Sequence, residues 1–135
     1  MKTIKDLLLL CLMVTVMNTT AQEHLSRIIV FGAHPDDCDL KAGGTAIKFA
    51  RMGHAVKFVS LTNGDAGHQS MGGGALAKRR YAEALEAAKR MGIEYTIIDN
   101  HDGELLPTLE NRLIVIREIR KWNAPALPQA KDEVR

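Results

Sequence analysis

Residues 33–40 read Ala-His-Pro-Asp-Asp-Cys-Asp-Leu and directly follow the apolar run Ile28-Ile29-Val30-Phe31-Gly32. Carboxylates crowded side by side repel one another, and the crowding costs free energy unless positive charge sits among them. A divalent metal ion is the obvious source of that charge. Imidazole nitrogen together with carboxylate oxygen suits zinc or a similar ion. His34 and Asp37 lie three apart across a turn that contains Pro35, so both could face one ion. Asp36 would then be free to take a proton from the water to be activated. The competing structural account is a turn in which Asp36 and Asp37 cap the helix that follows.

The elements that must position these residues come from the hydrophobic pattern. Residues 27–33 form a short apolar run with β-branched residues, the mark of a buried strand. Gly43-Gly44-Thr45 is expected to open a helix that carries Ala46, Ile47 and Ala50 on one face and ends at Gly53 in a left-handed cap. Residues 56–61 read as a second strand, and 62–74 as a loop rich in glycine. Residues 75–91 read as a helix stopped by Gly92. Residues 94–99 make a third strand, 100–108 a loop, and 109–122 a third helix with Leu109, Leu113, Ile116 and Ile119 on one side.

The order βαβαβα argues for an α/β fold with a parallel sheet and helices on its faces. Three strands are one half of a doubly wound sheet, where ligands gather beyond the carboxyl ends of the strands. The His-Pro-Asp-Asp turn, residues 62–65 and residues 99–103 all fall at that rim. After Trp122 the chain carries Pro125 and Pro128, which suit a central strand poorly. The domain is therefore expected to be an N-terminal portion that stops after βαβαβα, with an unpaired first strand and exposed helix faces.

The remaining bulk features narrow the class. The formal net charge is +2 and the aromatic fraction 4%, and no Lys/Arg block stands out, so composition makes no case for nucleic acid. Residues 1–21 have a basic start (Lys2, Lys5), an apolar run from Leu7 to Met17 and small residues at Thr19 and Ala21, which together read as a secretory signal peptide. The run is short for a bilayer span. Cleavage after Ala21 would leave residues 22–135 as one domain, periplasmic or secreted, without a transmembrane span. Cys38 would then be its single cysteine.

The run AHPDDCDLKAGGT, followed by Gly53-His54, SLTNGDAG, Arg80-x-x-Glu83 and Met91-Gly92, resembles the LmbE-like (PIG-L) N-deacetylase family over residues 27 to about 122. The resemblance implies a Rossmann-like three-layer α/β/α fold and a zinc-dependent hydrolase that removes N-acetyl groups from N-acetylglucosamine-type conjugates. It implies His34 and Asp37 as zinc ligands, Asp36 as the general base and Arg80 as a substrate contact. It also implies a third ligand from a histidine-rich segment after a fourth strand, which this sequence lacks. Among the other histidines, His68 and His101 are the nearest substitutes, while His54 and His24 read as surface residues. A hydrolase crippled by the missing ligand, or a non-catalytic remnant that binds a sugar or a divalent ion, follows as the expectation.

Several residues carry two readings from sequence alone. Gly43-Gly44 fit either a close substrate approach or a tight turn into the helix. Gly72 to Gly74 fit a lid hinge or plain slack. Asp65 fits the rim or a turn with Gly64, Asp102-Gly103 is a turn signal, Glu83 can pair with Arg79, and Cys38 is expected to pack as a small apolar group.

Overall fold

The computed structural model describes residues 25–122. The expected leader at 1–21 and the proline-containing stretch after Trp122 lie outside the described residues. The element order is β1 (Arg27–Gly32), α1 (Asp37–Arg51), β2 (Ala55–Ser60), α2 (Gly73–Met91), β3 (Glu94–Ile97) and α3 (Leu109–Trp122). The strands form one parallel sheet in the order β1-β2-β3, with Arg27 opposite Ala55 and Lys57 opposite Glu94 at the starts of the two ladders. Among the described residues β1 has β2 as its one neighbour.

The period of two along the strands sorts their side chains between two layers. Ile28, Val30, Val56, Phe58 and Tyr95 face α1 and α2, where they pack with Cys38, Ala46, Ala84 and Ala88. The alternate residue Lys57 points to the other face, where its ammonium lies 2.8 Å from Glu118 of α3. Trp122 anchors α3 to β1: its indole N–H donates to the Ile28 carbonyl at 3.0 Å, and the Arg27 guanidinium lies over its ring. Helices therefore cover both faces, giving three α/β/α layers. The apolar side of α3 (Leu109, Leu113, Ile116, Ile119) is exposed, the open helix face that the sequence led us to expect.

Two helix starts differ from the sequence reading, and β3 ends at Ile97, two residues earlier than expected. α1 begins at Asp37, six residues before Gly43, because Asp37 and Asp39 suit the positive end of a helix. Gly43 and Gly44 are thus mid-helix. Gly43 is buried mid-helix where α1 meets α2, and a Cβ there would make an ordinary contact with Met91 Sδ at 3.6 Å, so it serves neither a turn nor a substrate approach. α2 begins at Gly73, with Gly72 as its N-cap, so Gly72 to Gly74 start a helix and are not slack. Gly53 and Gly92 adopt the left-handed conformation expected at the ends of α1 and α2.

Candidate active site

The His-Pro-Asp-Asp turn leaves β1 under tight constraint. The ladder runs past the strand ends, with Leu61 N–H donating to the Gly32 carbonyl and Thr62 N–H to the Ala33 carbonyl, both at 2.9 Å. The Thr62 hydroxyl donates to the same Ala33 carbonyl at 2.8 Å. From β3, the buried Tyr95 hydroxyl donates to the Pro35 carbonyl at 2.7 Å and ties the turn to the core. Gly32 admits the start of α1: a Cβ there would stand 2.8 Å from Asp37 Cβ and 3.0 Å from Cys38 Sγ. Gly64 has a positive φ, and a Cβ there would collide with the Pro35 ring at 2.9 Å. The loop after β2 and the Tyr95 side chain of β3 thereby close on the turn.

Within the turn, His34 and Asp37 converge. Nδ1 of His34 lies 3.3 Å from Oδ2 of Asp37, and the His34 backbone N–H donates to that same oxygen at 2.9 Å. This backbone hydrogen bond is the main influence holding the Asp37 carboxyl below the usual carboxylate range, burial opposing it and the nearby imidazole assisting. On the far side of the ring, Nε2 of His34 lies 2.9 Å from Oδ1 of Asp102, in the loop after β3. A neutral imidazole has one N–H. If Nε2 gives it to Asp102, the Nδ1 lone pair faces the Asp37 carboxylate. Two lone-pair atoms so close repel, and a cation held between them relieves that repulsion.

The pair fits zinc on that ground. Ligand bonds of about 2.0–2.1 Å at a tetrahedral angle place two donor atoms about 3.3 Å apart, the separation found here. An imidazole that gives its other N–H to a carboxylate is the usual outer partner arrangement of a metal-bound histidine. Among the described residues no group of three His, Cys, Asp or Glu side chains converges so as to hold a metal, so His34 and Asp37 would supply two ligands.

Asp36 takes the N-cap position of α1, but its carboxylate makes no capping hydrogen bond. A good cap is worth about 1 kcal/mol. The helix forgoes it, and the capping account of the two acids fails for Asp36. Its exposed side chain instead lines a polar cleft of about 220 Å³ with His34, Gly64, Arg80 and Asp102. Arg80 stands in the wall of that cleft and shares Glu83 with Arg79, at 3.4 Å and 2.8 Å. The expected Arg79–Glu83 pair is thus present, and Arg80 is held only loosely.

The other singled-out residues fall outside this group. His68 accepts the Ser70 N–H at 3.2 Å and does not line the cleft. His101 pairs with Asp65, not with the His34–Asp37 pair. His54 accepts the Ser26 N–H at 3.0 Å, next to the amino end of β2 and away from the rim. Cys38 is buried, and burial pushes its thiol up to about 11, so it is inert packing. A separate cleft of about 270 Å³, lined by Leu61, Leu105, Leu106, Ile114 and Val115 among others, carries no acid or histidine and offers no such chemistry.

Asp102 and Tyr95 were not assigned to the site from sequence. Asp102 did carry one signal, its place in the polar loop at the carboxyl end of the third strand. Tyr95 carried none, because its polar tip is hidden inside an apolar strand.

Comparison with known proteins agrees with this geometry. The pattern of the PIG-L family, GlcNAc-PI de-N-acetylase, matches residues 29–129. Diacetylchitobiose deacetylase of Thermococcus kodakarensis is 33% identical over 100 residues, covering 72% of this chain and 38% of that protein. The structure of N,N'-diacetylchitobiose deacetylase from Pyrococcus horikoshii, complexed with an inhibitor, superposes with a TM-score of 0.68 at 27% identity, over 86% of this chain and 48% of that one. GalB, the 4-carboxy-2-hydroxymuconate hydratase from Pseudomonas putida KT2440, shares the fold at a TM-score of 0.66 and 23% identity. The chain spans less than half the length of these relatives. With the family pattern covering most of the chain and the His-Pro-Asp-Asp turn at the rim of the matching fold, this chain belongs to the PIG-L (GlcNAc-PI de-N-acetylase) family.

Proposed function

We propose that this chain carries the metal- and base-bearing part of a zinc-dependent N-deacetylase site acting on N-acetylglucosamine-type conjugates. The observation that carries the reading is the 3.3 Å approach of His34 Nδ1 to Asp37 Oδ2, with the uncapped Asp36 carboxylate on the same turn. The two diacetylchitobiose deacetylase relatives support an N-acetylated sugar as substrate. The cleft, at about 220 Å³, is below the usual 300–1,000 Å³ of small-molecule pockets, so it suits the acetamido end of a larger molecule.

In this reading His34 and Asp37 hold the ion. Zinc there supplies Lewis acidity, which acidifies a water molecule and polarises an amide carbonyl. Asp36 takes the proton of the attacking water and later delivers it to the departing amine. Arg80, in the lining of the same cleft, binds a polar group of the sugar. Asp102 holds the His34 ring by accepting from Nε2. Catalytic zinc sites use three protein ligands. The third would come from outside residues 25–122, and the 135-residue chain alone is expected to turn over slowly. The signal-like residues 1–21 support a periplasmic or secreted location, and N-terminal sequencing of exported protein checks it.

Acetate release from N-acetylglucosamine conjugates in the presence of zinc tests the reading. Release that requires zinc and falls about 10²–10⁴-fold in Asp36→Asn is expected. Release that survives either chelation or Asp36→Asn refutes it. Since only two ligands lie among the described residues, a second reading stands beside the first: a chain that binds an ion or a sugar without turnover. Zinc binding with no acetate release favours that one.

A further inference from the structure

The loops after β2 and β3 are joined by one carboxylate. Asp65 Oδ2 lies 2.6 Å from His101 Nδ1, and Asp65 Oδ1 accepts the Asp102 backbone N–H at 2.9 Å. The Asp65 carbonyl also accepts the Gly73 N–H at 2.8 Å, so the start of α2 is tied to the same residue. Asp65 is itself oriented by Asn63, whose side-chain carbonyl accepts the Asp65 N–H at 3.1 Å. Asn63 in turn donates from Nδ2 to Asp99 at 2.8 Å and from its backbone N–H to the Asn100 carbonyl at 2.9 Å. The Asp65 side chain is only 12% exposed, although it lies in a loop. Nothing in the proposed reaction uses it or His101.

We infer that Asp65 and His101 form a brace that sets the position of Asp102 and, through Asp102, the ring orientation of His34. The inference rests on the proposed metal-binding role of His34. The line of contact is continuous. Asp65 grips the Asp102 N–H and the neighbouring His101 ring, and the Asp102 carboxylate meets His34 Nε2 at 2.9 Å. The Nε2 proton directed at Asp102 leaves Nδ1 as the lone-pair atom beside Asp37. Without the brace, the loop after β3 loses its two bonds to Asp65, Asp102 moves from the ring, and His34 samples both tautomers. Asp65 and His101 are positioning residues, since neither touches the cleft atoms that would meet substrate or metal.

The test reads His34 directly. In the metal-free 135-residue chain, ¹⁵N resonances of the His34 ring report which nitrogen carries the proton, and calorimetry with zinc chloride reports affinity. Wild type is expected to show the Nε2-protonated tautomer. Asp65→Ala is expected to show mixed tautomers and a zinc Kd raised about tenfold, the lower end of what loss of an outer partner costs. Asp65→Asn keeps an acceptor for the Asp102 N–H and is expected to recover most of that loss. His101→Ala removes an exposed ring, leaves the fold intact, and is expected to weaken zinc about threefold with the same tautomer mixing. It decides the question if Asp65→Ala does not fold. His34 signals unchanged from wild type in the folded variants overturn the brace. A wild-type chain that shows the ordered tautomer but binds no zinc overturns the metal reading and leaves the brace standing, because the tautomer is read without metal.

Discussion

Tyr95→Phe isolates the bond that ties the His-Pro-Asp-Asp turn to the core. The substitution deletes one oxygen and nothing else. The ring keeps its edge-to-face contact with Phe58, at 5.7 Å between centroids and 87° between planes, so no cavity opens. What is lost is the 2.7 Å hydrogen bond to the Pro35 carbonyl. A hydrogen bond between neutral groups is worth about 0.5–1.5 kcal/mol net, and a carbonyl left buried without a donor costs about 1–3 kcal/mol. Pro35 is buried, so the expected loss is about 1–2 kcal/mol. For a domain of this size that lowers Tm by about 5–15 °C. Because the broken bond anchors the residue between His34 and Asp36, zinc affinity is also expected to fall, by up to about tenfold for 1.4 kcal/mol. Urea unfolding and calorimetric zinc titration of the two proteins measure both effects. Equal stability and equal zinc affinity in Tyr95→Phe would refute the claim that β3 holds the turn in place.

Other perturbations reach the same turn or its support. Gly32→Ala puts a methyl 2.8 Å from Asp37 Cβ and 3.0 Å from Cys38 Sγ, so urea unfolding should show a loss of about 1–3 kcal/mol, with weaker zinc binding alongside. Glu118→Ala strands the buried Lys57 ammonium and is expected to cost about 3–5 kcal/mol in the same assay, whereas Lys57→Met with Glu118→Leu should come close to wild type. Burial, with the Asp36 charge adding to it, pushes Asp39 up to about 6, and one of its oxygens is buried without a partner among the described residues. A carboxyl with a raised folded pKa binds its proton more tightly folded than unfolded. Its effect is therefore a loss of stability as pH rises from about 4 through about 6. Asp39→Asn should accordingly stabilise the fold at pH 7.5, by about 1 kcal/mol once solvent screening is allowed for, and the gain should vanish at pH 4. In the brace, the His101 hydrogen bond holds the Asp65 carboxyl down and the Asp65 hydrogen bond holds the His101 ring up. The Asp65 contribution is lost as pH falls below the carboxylate range, and the His101 contribution as pH rises above about 6.5, so amide exchange at Asp102 should be slowest, relative to its intrinsic rate, between those limits.

Much of the architecture was legible because its signals are periodic. Val56 and Phe58 alternate with Lys57 along β2, and Ala84 and Ala88 stand one turn apart on the buried side of α2. The start of α1 was misplaced for a physical reason. Asp36, Asp37 and Asp39 are both good first-turn residues and good metal-site residues, and reading them as chemistry moved the helix start to the glycines. Structure resolves the ambiguity, since Asp37 begins the helix and faces His34 at once. The His34–Asp37 pairing was visible because it is local. The His34–Asp102 and Tyr95–Pro35 contacts were not, because each joins residues distant in sequence through the parallel register of three strands. Lys57 was read only as part of an apolar strand, since its partner Glu118 comes from the face covered by α3.

The central claim is that His34 and Asp37 bind one divalent ion while Asp36 stays free to act as a base. Calorimetric titration of zinc chloride into the 135-residue chain, its His34→Ala and Asp37→Ala variants and Asp36→Asn tests it most directly. The account predicts one zinc per wild-type chain, loss of that binding in both ligand variants, and its survival in Asp36→Asn. Zinc binding that persists in His34→Ala, or that disappears in Asp36→Asn as completely as in His34→Ala, would contradict it.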